Sequence, residues 1–223
     1  MGKVIEGDSL DVLKFIPAAS FDMIVADPPY SISVASSGGG KLNPWADLLN
    51  ASRWFTELYR DVKRILKPSG AFWSFHNWQT VPVVHKAAYE SGWKVTSQLV
   101  WNKAWIGPGQ RGLRPSYELV SLFAGEDFNI EDRGIPDIKE FPWSSQKPNG
   151  HPAEKPVNLI AWLLEISGAK PGMTFLDPFA GCGTGLVAAQ KLGLDWCGIE
   201  IDPGWAASTR ERIAQQTAQA QLL

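Results

Sequence analysis

Phe175-Leu176-Asp177-Pro178-Phe179-Ala180-Gly181-Cys182-Gly183-Thr184-Gly185 reads as a strand, a glycine-rich turn and the start of a helix. Met173–Asp177 is short and apolar, and helical spacing resumes over Thr184–Leu192. Glycines let backbone approach a ligand closely, and a helix N-terminus offers free N–H groups. No Gly-Lys-Ser/Thr follows, so this is not a P-loop. The glycine spacing of two and two is not the usual dinucleotide fingerprint either. One strand further on, Trp196–Glu200 ends in Glu200, followed by Ile201 and Asp202. An acid at that strand end is placed to accept both hydroxyls of a ribose. The ligand implied is a nucleoside without a pyrophosphate.

Outward from this unit the same alternation continues. Apolar β-rich runs stand at Lys3–Glu6, Phe21–Ala26, Ala71–Phe75, Lys94–Trp101 and Tyr117–Phe123. Trp54, Leu58, Val62 and Ile65 form a helical stripe that stops at Lys67-Pro68-Ser69-Gly70. Pro156 opens a helix with Leu159, Ile160, Leu163 and Leu164 on its buried face and Gly168 as its stop, and Pro203–Gln219 reads as the last helix. Strands alternating with helices predict an α/β fold with a mostly parallel, doubly wound sheet. Lys94–Trp101 and Tyr117–Phe123 have no helix between them and are expected to form an antiparallel hairpin.

The second chemical motif is Asp27-Pro28-Pro29-Tyr30, directly after the strand Phe21–Ala26. Two prolines fix φ and remove two N–H donors. The turn therefore presents an acceptor carboxylate (Asp27), an acceptor carbonyl (Pro28) and a ring (Tyr30). That set suits a planar substrate bearing an NH₂ group. Two acceptors take its two N–H protons, and the ring stacks on its face.

The chain has 223 residues, 44% hydrophobic and 20% charged, which fits one globular domain over 1–223 and excludes a disordered chain. No apolar run approaches a membrane span, and the first residues lack the shape of a signal peptide. Two cysteines, Cys182 and Cys197, make no disulfide framework and fit a reducing cytoplasm. The three histidines are scattered, so no metal site is expected. A net charge of −2 means that nucleic acid would be met by a local patch.

Taken in order, Gly7-Asp8, Asp27-Pro28-Pro29-Tyr30, His151-Pro152-Ala153-Glu154-Lys155-Pro156, Asp177–Gly185 and Gly198-Ile199-Glu200 resemble the motifs of the amino-methylating DNA methyltransferases. The order is that of the family's β class, in which the catalytic motif precedes the cofactor motif. The resemblance covers nearly the whole chain. It implies a Rossmann-like methyltransferase fold, circularly permuted, with a seven-stranded sheet in the order 3-2-1-4-5-7-6. In that order Met173–Asp177 is strand one, Trp196–Glu200 two, Lys3–Glu6 three and Phe21–Ala26 four, and the hairpin supplies strands six and seven. The implied cofactor is S-adenosylmethionine. Phe179, Gly181, Gly183 and Thr184 would line its methionine part, next to Asp27 and Asp177. Glu200 would hold the ribose beside Asp202, Ile201 would pack on the adenine, and Asp8 would accept its amino group. Lys155 lies in the segment that closes the methionine pocket. Asp8 has a second reading, as a cap of the helix starting at Ser9.

The implied reaction moves a methyl group to the N6 amine of a flipped-out adenine in DNA, with Asp27 and Pro28 accepting from the amine, Pro29 stiffening the turn and Tyr30 stacking. The pocket for cytosine N4 uses the same geometry, but relatives acting on cytosine more often have Ser at the first position, so Asp27 favours adenine. A non-catalytic cofactor- or DNA-binding module is the alternative from another class. Phosphate contacts are expected from Lys41, Arg53, Lys103, Arg111 and Arg114, chiefly in the loop 102–116, which has three cations and no acid. His76 or Trp78 could join the wall of the base pocket. A mobile loop is expected at 31–43, and a short target-recognition insertion at 125–150. The resemblance leaves room for a homodimer and for a restriction endonuclease partner, and the residues show neither.

Overall fold

A computed structural model of the chain describes residues 2–29, 48–107, 112–143, 149–151 and 153–220. The expected mobile loop at 31–43 lies outside the described residues. In chain order the elements are β1 (Lys3–Glu6), α1 (Ser9–Leu13), β2 (Phe21–Ala26), α2 (Leu48–Ile65), β3 (Leu66–His76), α3 (Val81–Glu90), β4 (Val95–Asn102), β5 (Tyr117–Ala124), β6 (Ile138–Glu140), α4 (Val157–Ile166), β7 (Thr174–Asp177), α5 (Thr184–Lys191), β8 (Asp195–Glu200) and α6 (Pro203–Ala220).

One sheet joins all eight strands in the order β1-β8-β7-β2-β3-β5-β4-β6. β1, β8, β7, β2 and β3 run parallel, and β5 is antiparallel to both β3 and β4. The central strands β7, β2 and β3 are buried on both faces. In β2, Met23 and Val25 enter the core under α4 and α5, while Ile24 and Ala26 enter the core under α1, α2 and α3. β3 sorts Trp73 and Phe75 from Phe72 in the same way, as the two-residue period of a strand requires. On α4, Leu159, Ile160, Leu163 and Leu164 are all buried. Trp73, Trp93 and Trp101 are buried, whereas Trp78 and Trp105 are exposed.

Two expectations are corrected. The sheet has eight strands, not seven. Ile138–Glu140, inside the expected recognition insertion, pairs in parallel with Val100–Asn102, and the Trp101 indole N–H donates to the Phe141 carbonyl at 2.8 Å. A three-residue run with two charges carries no strand signal of its own, and only the open edge of β4 makes it one. The helical stripe stops at Ile65 as expected, but the next strand begins at Leu66 rather than Ala71, so it includes Lys67-Pro68-Ser69-Gly70. The Pro68 and Gly70 carbonyls accept from Asp127 and Gly125, just past β5, at 2.9 Å each, which extends β3 toward its N-terminus.

Candidate active site

β2 and β7 are parallel neighbours, with Met23 opposite Phe175 and Ile24 opposite Leu176. Their carboxyl ends therefore lie side by side, and so do the Asp27 turn and the glycine turn. One cleft is lined by Val25, Asp27 and Phe75 from one side and by Asp177, Phe179, Gly181, Cys182, Thr184 and Gly185 from the other. His151, Glu154 and Lys155 close it from the segment before α4. This is the position at which open α/β sheets bind ligands.

The glycine turn is built for close approach. Gly183 sits at φ +82°, and a Cβ there would fall 2.7 Å from Cγ2 of Thr209. A Cβ on Gly185 would fall 2.4 Å from Oδ2 of Asp177. α6 pins the turn from behind. Thr209 Oγ1 donates to the Gly181 carbonyl and Arg212 Nη1 to the Cys182 carbonyl, both at 2.7 Å. Ser9 donates to the Pro178 carbonyl. The Glu200 carboxylate accepts the N–H of Gly181 at 2.7 Å and that of Asp202 at 2.9 Å. Each of its oxygens keeps a second lone pair for a hydroxyl.

Asp27 holds two unlike oxygens. Oδ2 accepts from the Lys155 ammonium at 2.5 Å, while Oδ1 is buried and has no hydrogen-bond partner among the described residues. A buried acceptor left unsatisfied costs about 1–3 kcal/mol, so Oδ1 is a place for an incoming donor. Burial pushes the Asp27 carboxyl up, against the pull of Lys155. Burial also works against the Lys155 charge, but Asp27 and Glu118 hold its pKa above the ordinary lysine range. Burial pushes His151 down; its ring packs edge-on against Trp205, centroids 4.6 Å apart.

Asp177 is buried, and its Oδ1 accepts the Phe179 N–H at 3.0 Å. Burial pushes its carboxyl up to about 7, with Asp27 and Glu200 adding in the same direction. Between its ordinary value of 3.8 and about 7 the folded chain holds a proton that the unfolded chain has released. This group therefore favours folding less as pH rises through that window. Asp177→Asn removes the dependence. Its Tm relative to wild type is expected to rise from pH 4 to pH 7 and then level off, and a constant offset across that range in thermal melts would contradict the assignment.

The other sequence-derived residues are distributed as follows. Pro28 is buried and Pro29 exposed, while Tyr30, Lys41 and Arg111 lie outside the described residues. Asp8 caps α1, accepting the Leu10 N–H at 2.8 Å, and Asp202 caps α6, accepting the Trp205 N–H at 2.9 Å. Ile201 is exposed beyond β8. Arg53 is exposed on α2. Lys103 is turned into the protein, whereas Arg114 is exposed and bonds to its own loop. Lys103 pairs with Glu118, and the Arg114 guanidinium donates to the carbonyls of Gly107 and Ile106 at 2.8 and 3.2 Å. His76 lies 2.8 Å from the Ser121 hydroxyl, and burial pushes its pKa down to about 4. It is not in the cleft wall; Phe75 is. Among the described residues no group of three His, Cys, Asp or Glu is placed to hold a metal ion. No helix among them is long and apolar enough to cross a membrane.

Sequence reasoning missed Glu118, Thr209 and Arg212. Glu118 had a signal, as the lone acid in the apolar strand Tyr117–Phe123. The other two are ordinary residues of a polar helix, and only the packing of α6 reveals them.

Residues 21–211 match the N6/N4 DNA methylase family, and the chain belongs to that family. It is thus a DNA methyltransferase of the N6/N4 type. YubD of Escherichia coli (strain K12) is 28% identical over 215 residues, covering 96% of this chain and 91% of its own. TTHA0409 of Thermus thermophilus, solved in complex with S-adenosyl-L-methionine, superposes with a TM-score of 0.76 at 21% identity, over 96% of this chain and 94% of that one. The cytosine-N4-specific PvuII DNA methyltransferase also superposes at 0.76, with 18% identity, over 94% and 85%.

Proposed function

We propose that this chain transfers a methyl group from S-adenosylmethionine to the N6 amine of an adenine extruded from DNA. The observation that supports this most is the unsatisfied, buried Oδ1 of Asp27 in the wall it shares with the glycine turn. The cleft fits the cofactor on this chain's own features: a turn cleared of side chains, an acid at the end of β8, and helix-start N–H groups at α5. Bound there, S-adenosylmethionine supplies an electrophilic sulfonium methyl. The Glu200 carboxylate would take the ribose, and Phe179, Gly181, Gly183 and Thr184 the methionine end.

The chain's chemical task is alignment. An aromatic amine is a poor nucleophile because its lone pair is delocalised into the ring. Asp27 Oδ1 and the Pro28 carbonyl accept its two N–H protons, which favours a tetrahedral nitrogen with a localised pair. No covalent enzyme intermediate is needed. Cys182 and Cys197 are buried, and burial pushes both thiols up. Extrusion of the base costs a few kcal/mol, and stacking on Tyr30 returns roughly 1–3 kcal/mol. With Lys103 paired to Glu118, phosphate contact falls to the exposed Arg53 and Arg114 and to Lys41 and Arg111. The segment 125–150 is short for reading bases, so few base contacts, a short or relaxed recognition sequence, or reliance on a second copy is expected. Every group of the transfer itself lies on one chain, acting on DNA in the cytoplasm, while target recognition leaves room for a second copy.

Cytosine N4 is the second reading, favoured by the likeness to the PvuII enzyme; Asp27, where cytosine enzymes more often have Ser, is the reason to place it second. Nucleoside mass spectrometry of DNA from cells expressing the chain separates the two. N6-methyladenine above the level in cells expressing Asp27→Ala is expected. N4-methylcytosine instead would overturn the adenine assignment, and no modified base despite cofactor binding would overturn the catalytic one.

A further inference from the structure

Behind Asp27 stands a chain of alternating charge that the transfer itself does not use. Lys155 Nζ lies 2.5 Å from Oδ2 of Asp27 and 3.5 Å from Oε2 of Glu118. The other Glu118 oxygen pairs with Lys103. Side-chain exposures are 24% for Asp27, 10% for Lys155, 14% for Glu118 and 16% for Lys103. These charges are therefore largely withdrawn from water, where an ion pair is held only if its geometry is good and each member is matched. Among the described residues the four charges alternate in sign.

The fold fixes the far end of the chain. Glu118 follows Leu122 and Val120 along one face of β5 and stands opposite Trp101 of β4. The Lys103 backbone is tied at both polar groups, its N–H to the Ser116 carbonyl at 2.9 Å and its carbonyl to the Trp143 N–H at 2.8 Å. Its ammonium lies 5.2 Å from the Trp101 ring centroid. Lys155 arrives from a different part of the chain, on a four-carbon stem, over the Phe75 ring at 5.3 Å. A lysine with Asp27 as its sole anchor could swing across both carboxylate oxygens. Glu118 pulls it to one side.

Resting on the reading above, we propose that Glu118, backed by Lys103, is a positioning residue for the methyl transfer: it holds Lys155 on Oδ2 of Asp27 and so keeps Oδ1 open for the amine of the target base. Glu118 does not line the cleft. Its loss therefore acts through Lys155 and Asp27.

The test is steady-state kinetics of full-length Glu118→Ala and Glu118→Gln on DNA, beside wild type, with kcat measured across pH. Turnover by wild type in the same assay establishes the underlying reading, so a failure of the inference is distinguishable from a failure of that reading. Glu118→Ala is expected to lower kcat about ten- to a hundred-fold, the scale of a small misplacement at a reacting centre. Its KM for S-adenosylmethionine is expected to stay within about three-fold. The groups facing Asp27 are Lys155, Glu118, His151 and Asp177. With Lys155 displaced, Asp27 loses its nearest cation, so the acid limb of the kcat profile is expected to move up. Glu118→Gln keeps an acceptor for Lys155 but removes a negative neighbour. It is expected to recover most of kcat and to move the limb down. A Glu118→Ala enzyme with wild-type kcat, or with a lowered kcat and an unmoved acid limb, overturns the proposal. If Glu118→Ala does not fold, Glu118→Gln decides: a limb unmoved or moved up contradicts it.

Discussion

Asp27→Ala is expected to abolish methyl transfer, by at least about 10³-fold in kcat, while the affinity for S-adenosylmethionine stays within several-fold. A loss of that size is about 4 kcal/mol of transition-state stabilisation, the scale found when one aligned group is removed from a reacting centre. The expectation has a structural basis. Asp27 takes its place at the end of β2, and its inward oxygen Oδ1 has no protein partner among the described residues. The glycine turn is pinned by Thr209, Arg212, Ser9 and Glu200 through bonds that do not involve Asp27. Removing the carboxylate should thus spare the cofactor half of the cleft. Equilibrium binding of the cofactor and transfer of its labelled methyl to DNA check the two halves separately. If cofactor affinity and kcat fall together, Asp27 holds the cofactor and its assignment as amine acceptor is wrong.

Glu200→Ala is expected to do the reverse. Loss of a charge-assisted hydrogen bond to the ribose should weaken cofactor binding by about 1.5–3 kcal/mol, roughly 10- to 150-fold in Kd. Glu200 also accepts the Gly181 and Asp202 N–H groups, so some of the loss will come from a loosened turn. A drop in Tm of the cofactor-free protein measures that part. At saturating cofactor, kcat should recover toward wild type, because Glu200 does not reach the amine. Titration calorimetry giving an unchanged Kd would remove Glu200 from the site.

The sequence carried more of the fold than of the ionic network. Phe21–Ala26 alternates between two cores but is apolar almost throughout, as a strand covered on both faces must be, so its position was readable without knowing its neighbours. The Asp-Pro-Pro turn and the glycine turn were readable for a similar reason: their residue types restrict or free the backbone locally. β6 was not, because its pairing depends on an edge elsewhere in the chain. Asp8 and Asp202 show the limit at single residues. A carboxylate before a helix is equally an N-cap and a ligand group in sequence, and here Oδ1 of each caps a helix. The pair of Lys155 with Asp27 spans 128 residues, and no local pattern announces such a contact. Lys103 and Arg114 looked like free cations in a loop without acids, but the acid that takes Lys103 is on β5.

The adjacency of β2 and β7 underlies all of these expectations. A crystal structure of the chain with S-adenosylmethionine tests it most directly. The account requires the ribose at Glu200, the methionine end along Gly181–Thr184, and the sulfonium methyl facing Oδ1 of Asp27. A cofactor seated with its methyl turned away from Asp27, or bound instead in the polar depression around Leu10, Lys14 and Glu57, would contradict it.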